Sequence, residues 1–452
     1  MVENGGKIYF CIDLKCFYAS VECVLRGLDP FKTNLVVADP SRGNGAICLA
    51  ISPAMKALGI KNRCRIFEIP KDVKYIVAKP RMKKYIDYSA KIYEIYLKYF
   101  DKNDIHPYSI DEMFFDATTY LNFNKVGIKA LALKIIDDIL SQTGITATCG
   151  IGTNLFLSKV ALDILAKHQA DNIAFLTEQT FKQTLWHHTP LTDFWQIGKG
   201  IQNRLSKLSI HDMYGIAHAD QNLLYKEFGV NAKILIDHAN GVEPITIAEI
   251  KNYQPHSSSL SQSQILFEDY SKFNARIVLT EMIDTLSLEL INRKKVCGKV
   301  AVSVHYSKEV IAPTRASHKM PIKTNVFSVL KDEILKLYDE TTYDDQPIRK
   351  LSIAFDDVLD ENYEQLDLLT NRSKIEKERN GQIAVNKIKA KFGKNAIMRG
   401  ISLNKVATQK IRNSLIGGHA SGEESWRTWK RKNFYAFWCI KGIKTSTDAK
   451  RI

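Results

Sequence analysis

Two apolar segments of this chain carry carboxylates where buried strands are expected. Asp13 ends an apolar run that begins at Ile8, and Asp111 and Glu112 precede the run 113–115 about a hundred residues later. Desolvating a carboxylate costs free energy unless a metal ion or another cation compensates its charge. Three carboxylates from two strands favour a hard divalent cation such as Mg²⁺. This pair of segments predicts a metal site, although acids at strand ends are also common without one.

The residues after Asp13 indicate what such a site would do. Phe17 and Tyr18 form an aromatic pair, followed by a helix-compatible run to Glu22. A strand carboxylate beside an aromatic pair suits a pocket that holds a triphosphate and stacks a sugar on a ring. Two metal ions close together can activate an attacking oxygen and stabilise a leaving one. The pattern therefore favours phosphoryl transfer.

Both segments also resemble a known family. The run Asp13…Phe17-Tyr18-Ala19-Ser20-Val21-Glu22 and the run Tyr108-Ser109-Ile110-Asp111-Glu112 are similar to the two signature motifs of Y-family DNA polymerases, in particular the bacterial UmuC-like branch. The resemblance extends, with decreasing strength, over residues 7 to about 420. It implies a template-directed translesion polymerase of low fidelity, which adds dNTPs to a primer 3′-hydroxyl opposite damaged template in DNA repair and the SOS response.

The resemblance also implies roles for individual residues. Asp13, Asp111 and Glu112 would be the catalytic ligands of two Mg²⁺ ions, with Mn²⁺ as an alternative, and the main-chain carbonyl of Leu14 would add an oxygen. Adjacent strand residues point to opposite faces, so Asp111 and Glu112 require a turn or strand end to act together. Asp116 lies in the same segment, but its place in the strand alternation and its distance from Asp111 and Glu112 favour a structural role.

Four further residues are implied to contact the incoming nucleotide. Tyr18 would stack beneath the sugar and exclude ribonucleotides, with Phe17 supporting it. Lys159 and Lys56 would contact the triphosphate. Pro53 stands where many relatives have Tyr, so the finger contacts differ from the family pattern.

Length and periodicity predict an α+β, multidomain protein, because 452 residues exceed what one core holds. The implied architecture is a ferredoxin-like palm, small fingers, a helical thumb with a helix-hairpin-helix, and a β-rich little finger. The expected ranges are palm 1–30 and 76–175, fingers 31–75, thumb 176–246, linker 247–263, little finger 264–360 and a basic C-terminal tail 361–452. Within the palm, aromatic residues at helical spacing over 81–100 predict core packing, and residues 154–167 predict one helix.

Several basic or glycine-rich segments are expected to contact DNA. Gly198-Lys199-Gly200 opens a predicted helix, where exposed N–H groups could hold a phosphate; an ordinary helix-turn-helix linker is the alternative. Arg293-Lys294-Lys295 and Arg315 would face phosphates of the duplex, although charged loops are usually only solvated. The net charge of +15 lies entirely in residues 371–452, with 20 Lys and Arg against 5 Asp and Glu. Residues 1–370 contain 44 Lys and Arg and 44 Asp and Glu, so their net charge is zero. DNA binding by this part of the chain therefore depends on local basic patches.

The predicted partners are primer-template DNA, dNTPs, a sliding clamp, and RecA or accessory SOS proteins. Gln365-Leu366-Asp367-Leu368-Leu369 is similar to clamp-binding peptides, with Leu369 in place of the usual aromatic residue; a chance match is the alternative. Aromatic and basic residues over 421–452 suit single-strand binding or a poorly ordered extension. Eight scattered cysteines predict reduced thiols in a cytoplasmic protein, with no membrane partner.

Two other functions fit parts of the pattern. A palm-type nucleotide cyclase shares a two-metal carboxylate site but needs no thumb, little finger or clamp peptide. A catalytically inactive DNA-binding accessory protein of the repair machinery would explain the basic segments. Retention of Asp13, Asp111, Glu112 and Tyr18 argues against a decayed site.

Overall fold

The computed structural model describes residues 6–120, 127–255, 258–307, 311–363 and 371–422. The chain divides into two compact units: one runs to Tyr253 and includes the chain again from His419, and the other is Gln254–Gly418. No helix in these described ranges is long and apolar enough to cross a membrane.

A five-stranded sheet forms the centre of the first unit, in the order β5-β6-β1-β7-β8. Its strands are β1 (Tyr9–Leu14), β5 (Ile105–Pro107), β6 (Glu112–Asp116), β7 (Ala147–Gly152) and β8 (Ile173–Leu176). The central strand β1 runs antiparallel to β6 and β7, whereas β7 and β8 are parallel. The palm sheet predicted as antiparallel is therefore mixed at one edge.

Helices cover this sheet and position the residues beside β1. They are α1 (Phe17–Val24), α3 (Met82–Tyr96), α4 (Ile128–Thr143) and α5 (Leu155–Val160). Helix α5 lies directly on β7: a Cβ atom added at Gly150 would be 2.1 Å from the Ser158 carbonyl oxygen. Only glycine permits this approach. The aromatic residues predicted to pack in the core include Tyr85 and Tyr96 of α3, and both are fully buried.

The helix predicted over 154–167 ends early. After α5 the chain makes a π-helical turn at Ala161–Leu165 and a 3₁₀ turn at Ala166–His168. The wider turn changes which side chains share a face, and such turns are frequent at functional sites. The turn lies between Lys159 and Lys167, and the contacts of both lysines are described below.

A small three-stranded sheet combines two strands of the region predicted as fingers, 31–75, with one strand at the start of the predicted palm segment 76–175. Strand β2 (Leu35–Val37) pairs with β3 (Ala50–Ile51) in antiparallel fashion and with β4 (Ile76–Ala78) in parallel. Just before β3, Ile47 forms an isolated antiparallel bridge with Arg65. Helix α2 (Pro53–Ala57) begins at a proline and is capped by Ser52, whose hydroxyl accepts from the Met55 amide.

The region predicted as a thumb is helical and has its own core. Its helices are α6 (Glu178–Leu185), α7 (Lys199–Lys207), α8 (Met213–His218), α9 (Gln221–Phe228) and α10 (Ala232–Ala239). Phe181, Phe194 and Leu205 are among its buried residues. Helix α11 (Ile247–Asn252) follows and buries Ile247. Since α11 and the start of the next strand fall inside 247–263, little of that range can be a polar linker.

The second unit is a four-stranded antiparallel sheet with helices on one face. The strands follow the order β11-β10-β12-β9 and are β9 (Leu260–Tyr270), β10 (Lys295–Tyr306), β11 (Thr314–Thr324) and β12 (Ile348–Asp356), with β13 (Leu359–Asp360) paired to β10. Helices α12 (Lys272–Asn292) and α13 (Phe327–Thr341) share the core with the sheet.

Part of the predicted C-terminal tail belongs to this second unit. Helix α14 (Arg372–Phe392) buries Ile375 and Gln382, and the segment after it reaches back to Glu281, whose Oε2 accepts from the Thr408 amide at 2.8 Å. The chain then forms α15 (Gln409–Arg412) and the short strands β14 (Leu415–Ile416) and β15 (His419–Ala420). The basic segment is thus partly a packed helix, not only a tail.

Candidate active site

Strands β1 and β6 bring the predicted carboxylates together. Asp13 lies directly opposite Glu112 in the ladder, and residues in that relation direct their side chains to one face of a sheet. Asp111 stands just outside β6, and its carbonyl accepts a hydrogen bond from the Leu14 amide at 2.9 Å. All three acids and Leu14 therefore meet at the end of β1, as the two motifs predict.

A turn before β6 solves the problem of the adjacent acids. The Ser109 hydroxyl donates to Asp111 Oδ1 at 2.6 Å, and it accepts from the Glu112 amide at 3.1 Å. Asp111 is consequently held in a bend instead of a regular strand. The two neighbouring carboxylates are thereby freed from the strict alternation of a strand. Asp116, at the far end of β6, accepts instead from the Thr118 amide, in agreement with a structural role.

Glu112 and Asp13 are the two ends of a chain of alternating charges. Glu112 accepts from Lys159 Nζ at 2.7 Å, and the same amino group lies 2.8 Å from Asp163. Asp163 in turn pairs with Lys167 at 2.7 Å, and Lys167 lies 3.8 Å from Asp13. Lys159, Asp163 and Lys167 follow one another at intervals of four residues along this helical segment, so that each contacts the next.

Burial and crowding change the proton affinity of this site. Desolvation raises the pKa of Asp13 to about 7; Lys167 opposes the rise, and the negative Asp111 and Glu112 add to it. For Asp163, burial alone would raise the pKa, but Lys167 and Lys159 hold it below its usual value. Concentrated negative charge on Asp13 is thus only partly compensated by the side chains around it.

An open cavity of about 620 Å³ lies over this end of β1. Its wall includes the predicted residues Asp13, Leu14, Phe17, Tyr18, Lys56 and Asp111. Pro53 also lines it, but Glu112 and Lys159 do not. Lys159 is buried beneath the cavity, with only 9% of its side chain exposed, because Glu112 and Asp163 hold it there.

Three cations of the cavity wall were missed by the sequence reasoning. Lys15, Arg63 and Lys167 line the cavity together with Lys56, against the two carboxylates Asp13 and Asp111. Lys167 has 40% of its side chain exposed. It is therefore available to a ligand, whereas the buried Lys159 is not. The alternation of Lys159, Asp163 and Lys167 at intervals of four was the available signal, since it places a charged row on one helix face.

Tyr18 forms part of the cavity wall and rests on a second ring. It stacks on Tyr85, with ring centroids 4.5 Å apart, and Phe17 lies tilted beside it. The Tyr85 hydroxyl donates to Glu22, a fully buried carboxylate that also receives two hydrogen bonds from Arg81. Burial would raise the pKa of Glu22, but these hydrogen bonds and one from Arg26 keep it below its ordinary value.

The predicted anion site of the thumb lies at the start of α7. Gly198 is its N-cap and brings no side-chain acceptor, so the first amides of a nine-residue helix have no side-chain cap. Gly198, Lys199 and Gly200 are all exposed, and the space above both glycines is open. A phosphate could approach the backbone here without obstruction.

The basic residues predicted in the little finger fall in two places. Arg293 and Lys294 form the turn between α12 and β10, and Lys295 is the first residue of β10. Arg293 pairs with Glu289, and Lys295 pairs with Asp360. Arg315 is exposed on β11, in a row across the sheet that continues through Ser303 on β10. The structure therefore does not gather these four cations into one cluster on a single element.

Arg315 belongs to a sheet face made of small side chains. Its row continues from Ser303 to Ser352 and Ser263 on the next strands. These residues line a shallow depression of about 490 Å³, with Lys350 at its margin. The face is polar, nearly flat and flanked by two cations. The predicted clamp residues Gln365, Leu366, Leu368 and Leu369, by contrast, lie outside the described residues, as do residues 423–452.

Comparisons with known proteins agree with this arrangement. The model of the impB/mucB/samB family matches residues 12–163, and that of the family's C-terminal domain matches residues 257–368. A Bacillus subtilis protein named as a candidate UV-damage repair protein, UvrX, is 30% identical over 92% of this chain and 98% of its own. The chain belongs to this family, the Y family of DNA polymerases. Its activity is accordingly that of a translesion, DNA-directed DNA polymerase.

Other relatives of this Y-family polymerase are consistent with that assignment. DNA polymerase IV 2 of Bacillus subtilis is 29% identical over 91% of the chain and 98% of its own length. A solved Y-family DNA polymerase chimera has a TM-score of 0.58 at 20% identity, covering 78% of this chain and 99% of that one. The fold class predicted from the sequence, α+β and multidomain, is confirmed.

Y-family polymerases depend on divalent metal ions. In this polymerase the donor set suits such an ion: carboxylate oxygens from two strands, a neighbouring carbonyl, and an Asp13 whose raised pKa reflects negative charge that lacks a full counterion. In the described part of the chain, no three acidic, His or Cys side chains are gathered as ligands in their present rotamers. To bind the ion, Glu112 would have to give up its ion pair with Lys159.

Proposed function

We propose that the cavity over β1 is the site at which this polymerase joins a dNTP to the primer 3′-hydroxyl. One observation carries the proposal: Asp13 faces Glu112 in register while Asp111 is bound to Leu14, at the floor of a cavity lined by four cations and Tyr18. The carboxylates provide metal ligands, and the cations suit a triphosphate.

Asp13, Asp111 and Glu112 would hold two Mg²⁺ ions, with Mn²⁺ as an alternative and the Leu14 carbonyl as a further ligand. When bound, the ions lower the pKa of the attacking hydroxyl and stabilise the departing pyrophosphate. The chain's own residues orient the reactants. Lys159 holds Glu112 in place before an ion binds, and Ser109 fixes Asp111.

Selection of the sugar is assigned to Tyr18, supported by Phe17. A ring that is held flat against Tyr85 cannot move aside for a 2′-hydroxyl, which favours deoxyribonucleotides. The triphosphate is assigned to Lys56 and Lys167, with Arg63 and Lys15 nearby. Lys159, which the motif alone suggested for this contact, instead acts on Glu112, since it is buried between two carboxylates.

Primer-template DNA is assigned to two surfaces, each within its own unit. The start of α7, at Gly198-Lys199-Gly200, presents uncapped amides to one phosphate. The Arg315 face of the second unit, with its small side chains and Lys350, allows the backbone of a duplex to approach closely. Arg293, Lys294 and Lys295 would add phosphate contacts at the turn before β10.

Binding of a sliding clamp through Gln365, Leu366, Leu368 and Leu369 remains part of the proposal on sequence grounds. RecA or accessory SOS proteins are further partners, and the cytoplasm is the proposed location. The domain ranges 1–30 with 76–175, 31–75, 176–246 and 264–360 are retained as palm, fingers, thumb and little finger, supported by the separate sheets and cores of these regions.

Primer extension with Mg²⁺ and single dNTPs tests the function directly. The wild-type protein should add only the nucleotide complementary to the template, and a chelator should stop the reaction. A protein with Asp13→Ala and Asp111→Ala should be inactive, whereas Asp116→Asn, on the same strand but outside the cavity, should retain activity. Undiminished extension by the double variant would overturn the proposal.

A further inference from the structure

Two buried cysteines face each other in the region of the small three-stranded sheet. The Cys48 amide donates to the Cys64 carbonyl at 2.8 Å, and the Ile66 amide donates to the Ala46 carbonyl at 3.0 Å. These bonds form an antiparallel bridge that pairs Ile47 with Arg65. Cys48 and Cys64 therefore occupy the next pair of directly opposed positions.

The spacing of such a pair suits a covalent bond between the sulfurs. Opposed residues of a hydrogen-bonded antiparallel pair have Cα atoms about 5.5 Å apart. A disulfide spans Cα separations of about 4.4–6.8 Å. Both side chains lie in one buried cluster, and they are close enough for the Cys64 thiol to raise the pKa of Cys48.

The two thiols differ in access and in acidity. Cys48 is completely buried among Val36, Ile51 and Met55, whereas Cys64 retains 9% of its surface at the edge of this cluster. Burial, and then the adjacent Cys64 thiol, raises the pKa of Cys48 to about 12. A small oxidant would therefore reach Cys64 first, with Cys48 placed to react with the product.

We propose that Cys48 and Cys64 form a redox-active dithiol that closes to a disulfide under hydrogen peroxide. The Cys64 sulfur attacks one peroxide oxygen, the O–O bond breaks, and a sulfenic acid and one water result. The Cys48 sulfur then attacks the Cys64 sulfur and displaces its hydroxyl as a second water. Two thiols lose two protons and two electrons, and one peroxide is reduced to two waters.

The position of the pair gives this chemistry a consequence. Leu49 follows Cys48, and Arg63 precedes Cys64, and both line the cavity over β1. A disulfide would tie together the two segments that form this part of the wall. The bond itself is independent of the proposed function, but its effect on nucleotide binding rests on that function.

Intact mass and peptide mapping of the full-length reduced protein test the proposal. After treatment with hydrogen peroxide and alkylation of free thiols, trypsin cuts after Arg42, Lys56, Arg63 and Arg65. We expect the peptide 43–56 to be joined to the dipeptide 64–65, with two hydrogen atoms lost, and a reductant to restore both thiols. Amide exchange in 47–50 and 62–66 should slow at least threefold after oxidation.

Three variants make the outcome decisive. Cys64→Ser and Cys48→Ser should each abolish the linked peptide, whereas Cys149→Ser, which removes a buried thiol flanked by Ile12 and Ile173, should leave it intact. If Cys48→Ser fails to fold, Cys64→Ser decides, because its site is at the edge of the cluster. Formation of the link only in denaturant, or sulfinic acid at Cys64 with Cys48 still alkylated, would overturn the proposal.

Discussion

Tyr18 stacks on Tyr85, with the two ring planes 16° from parallel and their centroids 4.5 Å apart. Tyr85 is fixed on its other side, since its hydroxyl donates to Glu22 at 2.8 Å and Glu22 is bound by Arg81 through two nitrogens. The wall that we propose to select the sugar is consequently a layered structure, and its rigidity comes from residues on α1 and α3 together.

Removing the ring of Tyr18 should weaken sugar discrimination. We expect Tyr18→Ala to raise the relative kcat/KM for ribonucleotides by about 10²-fold, because the steric barrier to a 2′-hydroxyl is lost. Tyr85→Leu should raise it about three- to tenfold, since a stacked aromatic pair contributes about 0.5–1.5 kcal/mol. Tyr85→Phe keeps the ring and serves as the control. Unchanged discrimination in Tyr18→Ala would refute the role of this ring.

The two lysines of the charged row should respond differently to substitution. Lys159→Met leaves Glu112 and Asp163 without their shared partner, so the free energy of unfolding should fall by about 3 kcal/mol. Lys167→Ala removes a half-exposed side chain and should change stability little, while raising the KM for dNTPs about tenfold. Steady-state kinetics and chemical denaturation of both variants check this contrast. The reverse pattern would place the triphosphate at Lys159.

The charge of Asp13 should destabilise the metal-free protein at neutral and higher pH. Its pKa is about 7 in the folded protein, against about 3.9 for a free Asp side chain. The folded state therefore binds the proton more tightly, and this stabilising contribution is present below about pH 4 and is lost as the pH rises through 7.

Asp13→Asn mimics the protonated form and should reveal this effect. At pH 8 in a chelator, the variant should be more stable than the wild type by about 1–3 kcal/mol, and the difference should vanish near pH 4. Mg²⁺ should stabilise the wild type more than the variant. Denaturation of both proteins across this pH range measures it, and a variant that is less stable at pH 8 would contradict the account.

The proposed DNA surfaces predict a change in salt dependence. Lys199→Ala, at the start of α7, and Arg315→Ala, on the sheet face, should each lower the slope of log K against log salt by about 1. Fluorescence anisotropy with a primer-template duplex gives this slope. Lys134→Ala, on α4 beside Tyr99, is the matched control and should leave it unaltered.

The clamp peptide predicts a separable loss of function. Deleting residues 365–369 should abolish binding to the sliding clamp and the stimulation of synthesis that the clamp gives, while synthesis by the polymerase alone persists. Leu366→Ala with Leu369→Ala should have the same effect, whereas Asp367→Ala should not. A clamp that still binds the deletion protein would exclude this peptide.

The sequence was sufficient to predict those features of the site that depend on residues close together in the chain. The relation of Asp13 to Tyr18 depends on one strand and the helix after it, and the bend at Asp111 depends on Ser109 two residues before. Residues that interact over such short distances along the chain have a fixed spacing, which can be recognised in the sequence. The residues within each motif were for that reason predictable together, whereas the pairing of Asp13 with Glu112 joins segments about a hundred residues apart.

Other features depend on contacts between distant segments. Lys167 lines the cavity beyond a π-helical turn, and its distance of 3.8 Å from Asp13 joins residues that are far apart in the sequence. The pairing of Tyr85 with Tyr18 joins residues on different helices, and Cys48 meets Cys64 across an isolated bridge. The packing of helix α14 against the second unit was not predicted, because its buried positions, Ile375 and Gln382, are few.

The rate of a single nucleotide addition tests the central claim most directly. We expect Asp13→Asn, under single-turnover conditions with saturating primer-template DNA, Mg²⁺ and dNTP, to be slower than the wild type by about 10³-fold or more. Affinity for DNA should stay within about twofold, because the DNA surfaces are elsewhere. A rate within threefold of the wild type would contradict the assignment of Asp13, Asp111 and Glu112 as the catalytic centre.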